Sequence, residues 1–142
     1  QIGISNFTCA QMDEAKKILG DTPIFTNQVE VHPFLANRKV VEHAQKLGIT
    51  VTGYMPLAVG KVMEDETLQR IARERNLTPA QVAIAWVASR GVVPIPSSTR
   101  PAHQKANLEA LDVQLSEEEI RAIDALDRNE RIANPDFAPA WD

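Results

Sequence analysis

The sequence predicts an α/β fold with about four parallel strands that alternate with helices, followed by an extra C-terminal helix and a tail. Two observations support this prediction. Short β-branched stretches alternate with stretches whose apolar residues recur every three or four positions, and glycines or capping residues mark most of the boundaries. Helices separate successive strands, so each connection is a crossover that produces a parallel sheet.

The first two units each read as a strand, a helix and a glycine stop. Ile2 and Ile4 indicate a strand at the very start, and the capping-box spacing of Thr8 and Gln11 predicts a helix over residues 9–19. Residues 24–31 are rich in β-branched and apolar side chains. Asn37 is then expected to cap a helix over 38–47 with its side chain.

The third unit has a strand over residues 49–54, a loop over 56–61 and two helices. The first helix is predicted for 64–75 with a solvated charged face. The start of the second helix is marked by Thr78 as the cap, Pro79 as a first-turn proline and Gln81 as the capping-box partner. Its apolar run VAIAWVA predicts that this helix is buried.

The fourth unit has a strand over residues 92–96 and a helix that begins in SSTRP and runs through Leu108. The prolines at 94 and 96 suit a strand end, where no ladder hydrogen bond is donated. Ser116 and Glu119 then predict one further capped helix. The tail, residues 134–142, shows no periodicity.

Four such units fit a small doubly wound sheet or half of an eight-stranded (β/α)₈ barrel, which takes about 250 residues. The N-terminal strand lacks the charges and prolines that usually protect a sheet edge, so its backbone groups require a neighbouring strand. We therefore expect residues 1–142 to be one partial barrel domain, the C-terminal half, with the N-terminal half absent from the chain.

The composition argues against several classes of function. A net charge of −4 provides no basic surface for nucleic acid, and no apolar run has the length of a membrane span. The single cysteine excludes an internal disulfide framework and suits the cytoplasm. The three histidines show no spacing typical of metal ligands, so no metal site is expected.

Polar side chains stand where the strands end, which is where parallel α/β folds carry their chemistry. The stretches GISNF, TNQVEVHP, GYMPL, VVPIPSST with KANL, and LDRNERI together resemble the C-terminal half of the aldo-keto reductase family. The resemblance covers essentially the whole chain in the correct order and is strongest to bacterial reductases of the 2,5-diketo-D-gluconate type. It implies a TIM barrel that transfers hydride from NADPH to an aldehyde or ketone.

The resemblance also implies roles for residues at the first three strand ends. Ser5, Asn6 and Gln28 would bind the nicotinamide carboxamide, whose donors and acceptor these side chains match without added charge. Tyr54 would stack on the nicotinamide ring, and the loop at Leu57 would pass over the pyrophosphate. Without the resemblance, the serine and asparagine are more typical of a strand-to-helix turn, and the tyrosine of a packing aromatic.

The fourth strand end is expected to bind the adenosine 2′-phosphate, so that NADPH is preferred over NADH. A helix N-terminus beside a guanidinium attracts anions in any family. Many family members carry lysine at the position of Ser97 and arginine at that of His103, and Arg100 is expected to compensate. The residues that the resemblance assigns to this end are Ser97, Ser98, Thr99, Arg100, His103 and Asn107.

The catalytic groups of the family have no counterpart in the chain. The resemblance places the proton-donating tyrosine and its lysine, aspartate and histidine on the first half of the barrel, whereas Tyr54 is the only tyrosine here. We therefore expect the isolated chain to be inactive. Its expected partners are a small carbonyl substrate, near Trp141 of the tail, and either the missing half of the barrel or a second copy bound through open sheet edges.

Two other functions are consistent with the residues. A noncatalytic half-barrel would bind nucleotide or associate with itself without turnover. A small doubly wound domain would bind phosphate at SSTRP and ignore nicotinamide.

Overall fold

The computed structural model describes residues 1–142 and contains one four-stranded parallel sheet with the strand order β1-β2-β3-β4. Each strand pairs with the next one along the chain, so every connection is a helical crossover. The predicted alternation of strands and helices is confirmed. The strands are β1 (Ile2–Ser5), β2 (Ile24–Glu30), β3 (Thr50–Tyr54) and β4 (Val92–Pro94).

Six α-helices and two short 3₁₀ segments connect and follow the strands. The helices are α1 (Cys9–Leu19), α2 (Arg38–Lys46), α3 (Glu66–Arg75), α4 (Pro79–Ser89), α5 (Pro101–Glu109) and α6 (Glu117–Asp124). The predicted loop over 56–61 was partly wrong, because 3₁₀ turns occur between Ala58 and Glu64, although the backbone is kinked and not helical at Val59 and Gly60, with φ 54° and 88°. Helix α3 therefore begins later than predicted, where the Asp65 carboxylate accepts the N–H of Leu68.

The helix caps follow the sequence except at one position. The three predicted capping boxes, at Thr8, Thr78 and Ser116, are all formed. The predicted side-chain cap at Asn37 was wrong. This residue precedes α2 in the left-handed conformation, with φ 49°, and its amide instead donates to the carbonyl of Glu30 at 3.1 Å.

The two faces of the sheet differ in exposure. Residues that face the helices form one row across the strands and are buried or half-buried: Ile4, Asn27, Val51 and Val92. The next row lies on the opposite face, is half-buried or exposed, and consists of Ser5, Gln28, Thr52 and Val93. We call this second side the open face. All-parallel sheets are normally covered on both faces, so the open face is unusual for a complete domain.

The core lies between the helices and the covered side of the sheet. Helix α4 is buried from Gln81 to Val87, which confirms the prediction from its apolar run. Trp86 is 0% exposed, and its indole N–H donates to Asp124 of α6 at 2.9 Å. None of the helices combines the length and the apolar composition that a membrane span requires.

Candidate active site

The end of β1 is shaped by two asparagines. Asn6 adopts φ 57°, a left-handed conformation that asparagine tolerates better than most residues. Asn27 is fully buried on β2 and binds Phe7, the residue that follows Asn6. Its amide donates to the Phe7 carbonyl at 3.1 Å, and its Oδ1 accepts the Phe7 N–H at 3.4 Å. The covered side of the sheet thus supports the turn that carries Asn6.

Tyr54, at the end of β3, donates its hydroxyl to Asn6 Oδ1 at 2.9 Å. Burial raises the pKa of Tyr54, and the Glu30 carboxylate raises it further, against the opposing effects of Arg131 and Asn6. The phenol is therefore protonated at neutral pH and acts as the donor. Since Asn6 accepts with Oδ1, its Nδ2 is left to donate to a ligand carbonyl.

Ser5 and Gln28 occupy paired positions on the open face beside this contact. The Ser5 hydroxyl donates to the main-chain carbonyl of Gln28 at 3.0 Å, and the Asn6 N–H donates to the same oxygen at 2.9 Å. The hydroxyl of Ser5 retains lone pairs that can accept from an amide, and the side chain of Gln28 is half-buried rather than enclosed.

The C-terminal tail forms a second wall opposite Ser5, Asn6 and Tyr54, and Gln28 does not line the space between the two walls. Together they enclose a cleft of about 530 Å³, which is large enough for a ring-sized ligand. The cleft is lined by Ser5, Asn6, Phe7, Gln11, Tyr54, Ala133, Pro135, Phe137, Ala138, Pro139 and Trp141. The structure thus brings the predicted residues Ser5, Asn6 and Tyr54 together with Trp141.

The remaining predicted residues lie around the end of β4. Leu57 and Ser97 line a pocket of about 370 Å³, and Ser97, Ser98 and Asn107 line another of about 440 Å³. Thr99, Arg100 and His103 are exposed at the start of α5 and line neither pocket. Arg100 stands at the N-cap of α5 without a side-chain cap bond. Pro101 has no N–H and His103 donates its N–H to the Arg100 carbonyl at 3.0 Å, so the Ala102 N–H is the group of the first turn that is left to donate to an anion.

Glu30, the last residue of β2, was not predicted as a site residue. It is 0% exposed, and its carboxylate accepts from His32 Nε2 and from the N–H groups of Ile132 and Ala133, each at 2.8 Å. Burial alone would raise the pKa of Glu30, but these hydrogen bonds outweigh burial and lower it. The sequence feature that could have indicated this site is an acidic residue at the apolar end of a strand, because a buried carboxylate requires hydrogen-bond partners.

The lowered pKa determines the pH at which the Glu30 contacts contribute to stability. A carboxyl with a lowered folded-state pKa contributes fully above its unfolded pKa, about 4.3 for glutamate. The contribution is lost as the pH falls through the lower folded-state value. These contacts are therefore complete at neutral pH.

The model of the Aldo/keto reductase family matches residues 1–128. The chain belongs to this family. It is 48% identical over 143 residues to the methylglyoxal reductase DkgB of Escherichia coli O157:H7, covering 100% of this chain and 54% of the relative. It is 40% identical over 144 residues to aldo-keto reductase family 1 member A1-A of Danio rerio, covering 94% of this chain and 44% of that protein.

A solved structure confirms the predicted half-barrel. A protein assigned as 2,5-diketo-D-gluconic acid reductase B superposes with a TM-score of 0.94 and is 42% identical, covering 100% of this chain and 51% of its own chain. The chain therefore spans about half the length of the relatives that it matches. The aldo/keto reductase family consists of oxidoreductases that act on carbonyls with NAD(P)H.

Proposed function

We propose that this chain is the cofactor-binding half of an NADPH-dependent reductase of aldehydes and ketones. The observation that carries the proposal is the meeting of Ser5, Asn6 and Tyr54 in one cleft at the carboxyl edge of the sheet. These are uncharged donors and acceptors beside an aromatic ring. That combination suits a planar carboxamide-bearing ring such as nicotinamide.

In this proposal, the chain orients the cofactor and supplies no catalytic proton. NADPH would supply the hydride when bound. Asn6 would donate through Nδ2 to the carboxamide oxygen. Ser5 would accept from the carboxamide NH₂ group, and the side-chain amide of Gln28 could donate to or accept from the same carboxamide. Tyr54 keeps Asn6 in this orientation through its 2.9 Å hydrogen bond and offers its ring as a stacking surface.

The phosphate end of the cofactor would extend toward α5. Leu57 and Ser97 line the connecting pocket, and Ser98 and Asn107 continue along the next one. Arg100 and His103 present a guanidinium and an imidazole at the helix N-terminus, with Thr99 adding a hydroxyl. This arrangement favours the extra phosphate of NADP over NAD.

The catalytic tyrosine and its partners would come from the other half of the barrel, which would also cover the open face. The substrate would be a small aldehyde or keto-sugar that enters the cleft beside Trp141. Methylglyoxal is a suitable first substrate, because the DkgB relative is named for its reduction.

Titration of NADPH into the complete protein tests this proposal, with Gln28→Ala as the test variant. The change removes one amide contact, so we expect the Kd for NADPH to rise about 2- to 10-fold. Gln114→Ala removes an exposed glutamine before α6 that lines none of these pockets, and it should leave the Kd unchanged. Absence of NADPH binding by the complete protein would refute the assignment.

The 2′-phosphate preference has its own test in Arg100→Ala. Loss of an exposed guanidinium from the start of α5 should raise the Kd for NADPH about 3- to 10-fold and that for NADH less than about 2-fold. Arg121→Ala removes an arginine with 69% exposure on α6 and serves as the control. An equal effect of Arg100→Ala on both cofactors would show that the 2′-phosphate lies elsewhere.

A noncatalytic, self-associating module is the second candidate, and the open face favours it. Val93 and Ile95 are 49% and 42% exposed there, so a second copy could cover them. The intact mass of the denatured preparation, read with the native mass, separates the two. A 15.7 kDa species in a native dimer would favour the module, whereas a second fragment or a chain of about twice the mass would favour the reductase.

A further inference from the structure

The tail that forms one wall of the cleft has little regular structure to hold it. After α6, residues 125–142 contain turns and irregular segments but no further helix or strand. Phe137 is 90% exposed. The position of this wall therefore depends on a few individual contacts rather than on a repeated backbone pattern.

One set of these contacts closes the tail on itself. The Arg131 guanidinium lies 3.8 Å from the centre of the Trp141 ring, and the indole N–H of Trp141 donates to Asn134 Oδ1 at 2.8 Å. The two ends of the segment that lines the cleft are thus joined, so fixing its beginning also fixes Trp141.

The beginning of this segment is attached to the sheet by Glu30. Its two carboxylate oxygens each accept a main-chain N–H, from Ile132 and Ala133, across more than one hundred residues of sequence. Hydrogen bonds to an ionised carboxylate are among the strongest in proteins, and Glu30 is fully buried. His32 completes the set by donating from Nε2 to Oε1, which keeps the carboxylate aimed at the tail.

Glu30 thus joins the sheet end that carries the cofactor candidates to the wall that carries Trp141. Its paired residue on β3 is Tyr54, so a single row of the sheet both orients Asn6 and anchors the tail. A shift of the Ile132 and Ala133 N–H groups would move the wall relative to Asn6 and Tyr54.

We propose that Glu30 is a positioning residue that holds the C-terminal tail, and with it Trp141, as a fixed wall of the substrate cleft. That the cleft receives a substrate rests on the function proposed above. The wall limits the size of the carbonyl compound that reaches the cleft, and Glu30 acts on that limit through the tail without touching the reacting atoms.

Hydrogen exchange in the complete protein tests the attachment independently of activity. Glu30→Gln keeps the size of the side chain but replaces one accepting oxygen with an NH₂ group that cannot accept. We expect the amides of Ile132 and Ala133 to exchange about 10- to 100-fold faster, with unchanged exchange in the strands. Glu42→Gln makes the same chemical change at an exposed position of α2 and should alter neither.

Steady-state kinetics and cofactor titration provide the second readout. We expect Glu30→Gln to change the ratio of kcat/KM between a bulky aromatic aldehyde and methylglyoxal about 5-fold or more, mainly through KM. The Kd for NADPH should change less than about 2-fold. If Glu30→Gln does not fold, Glu30→Asp is measured instead, because it keeps the charge and withdraws the carboxylate by one methylene.

The outcomes separate this inference from the proposed function. Unchanged exchange at Ile132 and Ala133, or an unchanged substrate ratio in a protein that reduces carbonyls, would overturn the positioning role. Faster exchange in a protein that binds no NADPH would uphold the attachment of the tail and refute the reductase assignment.

Discussion

The isolated chain is expected to show no measurable carbonyl reduction, whereas the complete protein is expected to reduce aldehydes with NADPH. The reason is that the chain holds a single tyrosine, Tyr54, which is committed to Asn6 at 2.9 Å. Its pKa is raised by burial and by Glu30, so it is a poor proton donor at neutral pH. A missing general acid alone lowers a rate by about 10²- to 10⁴-fold.

Tyr54→Phe in the complete protein is the decisive companion measurement. The variant keeps the ring and loses the hydroxyl that orients Asn6, so we expect a Kd for NADPH raised about 2- to 10-fold and a kcat within about 3-fold of the original. Circular dichroism checks that each protein is folded. A loss of kcat by a hundredfold or more with an unchanged Kd would contradict this, since Tyr54 would then be the catalytic acid.

Trp86→Ala is expected to produce the largest loss of stability, about 3–5 kcal/mol in the free energy of unfolding. The side chain is fully buried and belongs to the main hydrophobic core. The alanine would leave a cavity and would also remove the 2.9 Å hydrogen bond to Asp124 that joins α4 to α6. Urea unfolding of the complete protein, followed by circular dichroism, measures the loss.

Two further variants divide this effect into its parts. Trp86→Phe keeps most of the buried ring and removes the indole N–H, so it should cost about 1–3 kcal/mol. Ile18→Ala changes a side chain that is 75% exposed and should stay within about 0.5 kcal/mol. A loss below about 1 kcal/mol for Trp86→Ala would show that α4 does not depend on this packing.

Local sequence determined the elements because their signals act over three or four residues. The capping boxes at Thr8, Thr78 and Ser116 needed only their own helices and are all formed. The side chain of Asn37 was mispredicted for the converse reason. Its amide donates to the main-chain carbonyl of Glu30 at the end of β2, and this partner comes close only when the chain folds.

The candidate site likewise has one part that the sequence predicts and one part that depends on the tertiary structure. The polar residues at the strand ends could be predicted, because parallel strands bring their carboxyl ends to one edge of the sheet. The bond between Tyr54 and Asn6 could not be derived from the pattern, since it depends on the left-handed turn at Asn6 and on the register of three strands.

By itself, the sequence determined the α/β class, the parallel direction of the strands, most helix boundaries to within a few residues and the family resemblance. Only the tertiary structure decided that Glu30 binds the N–H groups of Ile132 and Ala133 across more than one hundred residues, and that Trp141 lines the same cleft as Tyr54. The physical reason is range. Periodicity and capping are local properties of the chain, whereas a buried carboxylate finds its partners wherever folding brings free N–H groups.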